Sequence, residues 1–293
     1  MANKLSCSRC ILSTDVPDIT VEENGVCSVC HEHDKLWGNW DEIKVDRRKA
    51  LEDVLNKIRR KKRPYDVLVP LSGGKDSIYI LYLCCTQFNL KCLAVTWDNG
   101  FLSDHARQNI AKACGKLGVD HMYYGINEKL LMELYRLFFL KTGFFCPVCL
   151  SGMSVTLMRA QAAFDIPLRF SGTSRRTEEH VSPKFFIDGN MSFIENVLDG
   201  ESIKKEAAVL LNPVGFFSSP QQIKLPDYVD WNYDDIYRTI KSELGWTSHT
   251  ENAEHTDCKV DNIVNYIRYM KYPALIPDML RFSKLVTAGQ MSR

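Results

Sequence analysis

The stretch from Asp66 to Phe88 constrains this chain more than any other. The apolar run Asp66-Val-Leu-Val-Pro-Leu71 stops at Ser72-Gly-Gly-Lys-Asp-Ser77, and an apolar helical stretch, Ile78 to Phe88, follows at once. That pattern is a buried parallel strand entering a helix through a tight loop. Gly73 and Gly74 carry no Cβ, so backbone N–H groups can approach an anion closely. The helix that follows presents its positive end to the same point. Ser72 and Ser77 add hydroxyls and Lys75 adds a point charge. Asp76 repels a bare phosphate, so its expected work is to hold Mg2+ or to orient the loop. The spacing excludes the Walker loop, which is longer and sets its Lys before Ser or Thr.

Beyond the loop the chain alternates. Lys91–Trp97, Asp120–Tyr124 and Pro167–Ser171 read as further strands, and Ser103–Leu117, Glu128–Lys141 and Val148–Phe164 as helices. Alternation of this kind implies an α/β fold with a doubly wound parallel sheet and right-handed crossovers. After Gly172 the pattern weakens. Phe185–Ile194 holds an Asp-Gly-Asn turn and fits either a hairpin or a loop leading to a helix near Asn196. Val260–Tyr269 and Pro277–Thr287 read as helices. Three units are expected: 1–40, a four-cysteine zinc knuckle; 41–64, a linking basic helix (Asp46–Arg63, ended by Pro64); and 65–293, the phosphate-loop domain with C-terminal helices.

A formal net charge of +1 over 293 residues gives no global field for nucleic acid, although a local patch is compatible with it. No signal peptide or membrane-length apolar run is visible, so the expectation is a cytoplasmic protein without membrane attachment. Eleven cysteines are many for such a chain, and close pairs in a reducing compartment indicate metal or redox chemistry. Cys7-x-x-Cys10 with Cys27-x-x-Cys30 supplies four thiolates in two knuckles, the tetrahedral geometry of a structural Zn2+. His31 and His33 beside Cys30 are read as neighbours, not ligands. Cys84, Cys85, Cys92 and Cys114 read as small buried apolar residues.

The Ser-Gly-Gly-x-Asp-Ser signature after the first strand resembles that of the PP-loop ATP pyrophosphatase superfamily. The resemblance implies a Rossmann-like sheet with ATP over the strand C-terminal ends, cleavage between the α- and β-phosphates, and adenylation of an acceptor oxygen. It assigns ATP and Mg2+ as cofactors, Ser72, Gly73, Gly74, Lys75, Asp76 and Ser77 to the nucleotide, and catalysis to the last three. Thr96 and Asp98 at the end of the second strand, with Gly172 and Thr173 after the fourth, are matched to its other nucleotide contacts.

The N-terminal segment, with Pro17-Asp-Ile-Thr20 and Glu23-Asn-Gly-Val-Cys27, resembles the start of N-acetyl sugar amidotransferases, a PP-loop family of surface-polysaccharide synthesis. Asp98–Phe101, Ile166–Leu168, Asn262–Ile267 and Gly289–Arg293 look similar too. That resemblance implies a small-molecule sugar acceptor, ammonia from a separate glutaminase, and displacement of AMP by nitrogen. The family is expected to continue beyond the position of Arg293. A homodimer is a further expectation.

Cys146-Pro-Val-Cys149 and the distant Cys258 resemble the cluster-binding cysteines of PP-loop tRNA thiolation enzymes. Three readings stand: a 4Fe–4S cluster serving sulfur transfer to tRNA or a small molecule, a persulfide pair drawing on a separate sulfur donor, or a second structural site. A non-catalytic ATP sensor is the reading outside enzymology, and the intact Lys75, Asp76 and Ser77 weigh against it. Arg175 and Arg176 fit either an anion or a solvated turn, Arg59–Arg63 a solvated helix end, and Trp97 the core. Asp257, His180 and His255 are singled out by location alone.

Overall fold

The computed structural model describes residues 4–176, 191–211, 221–248, 257–271 and 277–293. Its centre is a five-stranded sheet in which every neighbouring pair is parallel. The strands are β1 (Val67–Pro70), β2 (Cys92–Trp97), β3 (Asp120–Tyr124), β4 (Leu168–Ser171) and β5 (Gln221–Lys224), and their spatial order is β3-β2-β1-β4-β5. That order runs outward from β1 in one direction and then from β4 in the other. It leaves a topological switch point between β1 and β4, where doubly wound sheets open a crevice at the strand C-terminal ends.

The helices are α1 (Ser28–Trp37), α2 (Trp40–Arg59), α3 (Lys75–Thr86), α4 (Asp104–Leu117), α5 (Glu128–Thr142), α6 (Cys146–Ala163), α7 (Met191–Leu198), α8 (Lys204–Leu211), α9 (Tyr233–Leu244), α10 (Asp261–Lys271) and α11 (Pro277–Thr287). Val67, Val69, Ala94 and Phe170 point to one face, where they pack with Leu51 and Leu55 of α2, Ile78 of α3, Ile110 of α4 and Ile236 of α9. Leu68, Leu93 and Val95 point to the other, against Leu157 and Ala160 of α6. Both faces of the inner strands are therefore buried, which is why these strands read as unbroken apolar runs.

Five elements differ from the sequence expectation. The basic helix, expected over Asp46–Arg63, begins at Trp40 and ends at Arg59. Four residues, 60–63, separate its end from Pro64, whose ring disfavours helical geometry in the residue ahead of it. α1, α8, β5 and α9 have no counterpart in the sequence reading. Of the Phe185–Ile194 segment, 185–190 lie outside the described residues, and the chain from Met191 is helical. His180 and His255 also lie outside them.

Candidate active site

The loop after β1 is built around Gly73, whose φ of +85° suits glycine. A Cβ there would also meet the Ala106 carbonyl oxygen at 2.5 Å, so α4 holds the loop from behind. The Gly73 carbonyl is pinned by the Trp246 indole N–H at 3.0 Å and by the Asn109 amide at 3.4 Å. Within the loop, Ser72 Oγ accepts from the Gly74 N–H at 3.3 Å, and Ser77 Oγ donates to the Gly74 carbonyl at 3.0 Å. The first turn of α3 thus stands fixed with its N-terminal end facing the crevice.

Lys75 is 7% exposed, bonds Asp76 Oδ2 at 2.8 Å and lies 4.3 Å over the Tyr233 ring. Asp76 Oδ1 is buried with no hydrogen-bond partner. A carboxylate oxygen left bare in a cavity that also presents phosphate-binding N–H groups fits a divalent cation such as Mg2+.

A cavity of about 480 Å3 opens here. Its wall includes Ser72, Gly74, Lys75, Asp76 and Ser77 of the loop, Gly172 and Thr173 after β4, and Cys149 and Cys258. Of the residues the sequence matched to nucleotide, Thr96 and Asp98 do not line it. Thr96 is 1% exposed and its hydroxyl donates to the Leu71 carbonyl at 2.6 Å, with His121 at 2.8 Å. Asp98 turns to Arg107 at 3.4 Å and accepts the Gly100 N–H. Arg176 is buried, lies 3.9 Å over the Trp40 ring and donates to the Pro226 carbonyl, a structural setting rather than an open one.

Cys258 is carried to the cavity by a short antiparallel pairing of 257–259 with the segment after β2. Ser103 N–H donates to the Asp257 carbonyl, and Lys259 N–H to the Phe101 carbonyl, both at 2.8 Å. Cys146 and Cys149 open α6, which presses on the sheet at Gly152, where a Cβ would meet Trp97 Cζ2 at 2.4 Å. All three cysteines act on Tyr135, whose hydroxyl pKa is driven up by burial first and then by Cys149, Cys258 and Cys146. Burial pushes the Cys149 thiol up to about 11, and Cys258 adds to this against the pull of Asn99, Tyr135 and Trp97. Burial also raises Cys258, while the N–H groups of Val260 and Asp261 oppose the rise. The buried Trp97 indole N–H turns to the Cys149 thiol. Three thiols gathered about the one Tyr135 hydroxyl are a donor set that fits a sulfide-bearing cluster.

The knuckle is a different kind of site. Cys7, Cys10, Cys27 and Cys30 are wholly buried, and their sulfurs lie within 4.8 Å of one another. Cys7 Sγ accepts N–H groups from Arg9, Cys10 and Cys27 at 3.3–3.5 Å. Four buried thiols so close cannot all ionise without a cation between them, and the set fits tetrahedral Zn2+. Among the described residues it is the one group of three or more metal donors this compact. Cys146, Cys149 and Cys258 do not form so compact a group. His31 is occupied by Glu22 at 3.1 Å.

No family model matches the chain. An uncharacterized protein of Methanocaldococcus jannaschii is 28% identical over 119 residues, which is 40% of this chain and 42% of that protein's length. Among solved structures, an NH3-dependent NAD synthetase of Campylobacter jejuni is similar with a TM-score of 0.40 at 13% identity, over 87% of this chain and 98% of that one. A U34-tRNA thiolase of Methanococcus maripaludis, solved with its 4Fe–4S cluster, gives 0.39 at 16% identity over 98% and 89%. An NMN synthetase of Francisella tularensis gives 0.41 at 10% identity over 84% and 93%. At such identities and scores the likeness does not reach the chemistry. No helix among the described residues is long and apolar enough to cross a membrane.

Proposed function

We propose that this chain is an ATP-dependent adenylating transferase that replaces an acceptor's carbonyl oxygen by sulfur. The observation that carries the choice of sulfur is the cavity lining: Cys149 and Cys258, 109 residues apart in sequence, line the same cavity as the phosphate loop, and Cys146 acts with them on Tyr135. The N–H groups at the start of α3 and Lys75 bind the β- and γ-phosphates, and Asp76 holds Mg2+. The acceptor oxygen attacks the α-phosphorus, and the bond to the pyrophosphate oxygen breaks. Hydrosulfide then attacks the activated carbon, and the original oxygen departs with AMP. No net oxidation or reduction occurs in either displacement. Cys146, Cys149 and Cys258 would hold a 4Fe–4S cluster, which would supply the binding and delivery of hydrosulfide. The buried Trp97 N–H and the Tyr135 hydroxyl orient that side of the cavity, and the protein's part is mainly positioning and charge stabilisation.

Amidotransfer to a sugar shares every step up to the adenylate, and it has no use for the three cysteines. Anaerobic purification with metal analysis separates the two. Sulfur transfer requires about four irons and matching acid-labile sulfide per chain beyond the zinc, lost in Cys146→Ala. It also requires that this variant still release pyrophosphate without forming product. Zinc alone, with transfer of ammonia undiminished by Cys146→Ala, would replace sulfur by nitrogen. Pyrophosphate release at the native rate by Ser77→Ala would remove the adenylation site itself.

A further inference from the structure

Arg169 is a cation for which the described residues supply no counter-charge. It lies on β4 between Leu68 of β1 and Gln222 of β5, on the sheet face covered by α6. Its Nε and Nη2 both donate to one acceptor, Gln222 Oε1, at 3.0 and 2.6 Å. Its Nη1 is buried with no partner, and no carboxylate pairs with the guanidinium among the described residues. Burial alone lowers its pKa, with no neighbouring acid to restore it. A half-buried guanidinium held to a single amide oxygen is costly, because a cation leaving water normally takes an anion with it. The cost makes sense if the anion arrives with a ligand. Arg169 and Gln222 line the same cavity as the phosphate loop, together with Ser154, Ser171 and Thr173.

The position separates Arg169 from the nucleotide phosphates. The loop caps the C-terminal end of β1, whereas Arg169 lies two residues, about 6.6 Å, back from the end of β4 and towards β5. We infer that Arg169, oriented by Gln222, binds an oxyanion of the acceptor substrate, a phosphate or a carboxylate, and so fixes the acceptor's carbonyl over the phosphate loop. The inference rests on the adenylating reading above for the identity of the acceptor, and on Arg169 alone for the anion. A guanidinium edge with one N–H group to spare accepts either oxyanion through a charge-assisted bond, and a neutral acceptor leaves it unpaired.

The test is titration of the intact chain with inorganic phosphate and, separately, with acetate, read by the fluorescence of the cavity residues Trp97 and Trp246. Both titrations are run with and without saturating α,β-methylene-ATP. Native protein is expected to bind at least one of the two anions, and the better one gives the acceptor's class. Arg169→Gln should weaken that binding about tenfold or more, the worth of one charge-assisted bond, with unchanged affinity for the ATP analogue. Arg169→Lys should fall between. Arg169→Met, which removes an unpaired charge, should melt no lower than the native chain. The inference is overturned if the native chain binds neither anion, or if Arg169→Gln binds it normally. It is equally overturned if that variant loses the ATP analogue to the same degree, or if Arg169→Met melts lower. Failure of the native chain to bind the analogue would sink the adenylating reading instead, and the nucleotide-free titrations would still judge Arg169.

Discussion

Asp76 spends one carboxylate oxygen on Lys75 and buries the other beside the phosphate loop with nothing to bind. Asp76→Asn keeps the shape and removes the charge, so it should fold normally and still hold ATP through the loop N–H groups. Pyrophosphate release should drop by about a hundredfold, the usual scale for losing one transition-state electrostatic contact. Added Mg2+ should not restore it. A native rate at every Mg2+ concentration would reduce Asp76 to a tether for Lys75. This residue, its loop and the knuckle cysteines were legible in the sequence because glycines, hydroxyls and thiols at fixed spacing have few other uses. Arg169 was not, since one arginine in a strand has no local signature and its meaning depends on what it lacks. Tyr233 beneath Lys75 and Trp246 behind Gly73 were equally invisible, being brought there from more than 150 residues away. Thr96 shows the opposite limit: a polar residue near a strand end can serve the sheet, and its side-chain direction cannot be read from its position.

Among the elements, those built by alternation were readable and those built at an edge were not. β5 is four residues long and only Ile223 is buried, so no apolar run announces it. α9 did leave a signal. Tyr233, Ile236, Ile240 and Leu244 recur at helical spacing, Asn232 caps the first turn through the Asp235 N–H, and Gly245 closes it. α11 carries a titration of its own. Burial lowers Lys284 to about 8 against the pull of Glu32 and Asp227, with Lys224 lowering it further, and its Nζ donates to the Arg175 carbonyl at 3.0 Å. An unfolded lysine near 10.5 binds its proton across the interval in which the folded one has lost it. The Lys284 contribution to stability therefore rises as pH climbs from about 8 towards 10.5, while buried thiols such as Cys149, raised to about 11, contribute a fall. Denaturant titrations at pH 7.5 and pH 10 should show a change in stability that is more favourable in the native chain than in Lys284→Met, the thiols being common to both. Equal slopes in the two proteins would mean that α11 leaves Lys284 solvated.

The whole molecule is closed by contact between its first and last segments. The knuckle's core of Cys7, Cys10, Leu12, Val16, Cys27 and Cys30 is completed by Met279, Leu280 and Val286 of α11. Thr287 Oγ1 meets Cys30 Sγ at 3.2 Å, Arg9 donates to the Thr287 carbonyl, and Arg293 donates to the Ser8 carbonyl at 2.8 Å. A loop of this size cannot bury enough apolar surface to fold unaided, so it borrows a helix face, and its four clustered thiols offer a metal site as a second fastening. Sequence order hid this, because the knuckle and α11 stand at opposite ends of the chain, and nothing in either one names the other. Removing zinc with a strong chelator, or Cys10→Ser, should therefore loosen two regions at once. Amide exchange should accelerate across residues 4–37 and across α11, while β1, β2 and β4 keep their protection. Loss confined to residues 4–37 would make the knuckle an independent appendage and α11 part of the sheet domain alone. Joint loss, with one zinc released per chain, would make the metal the fastener of both ends, and the Arg175–Lys284 contact next to the active-site crevice would loosen with them.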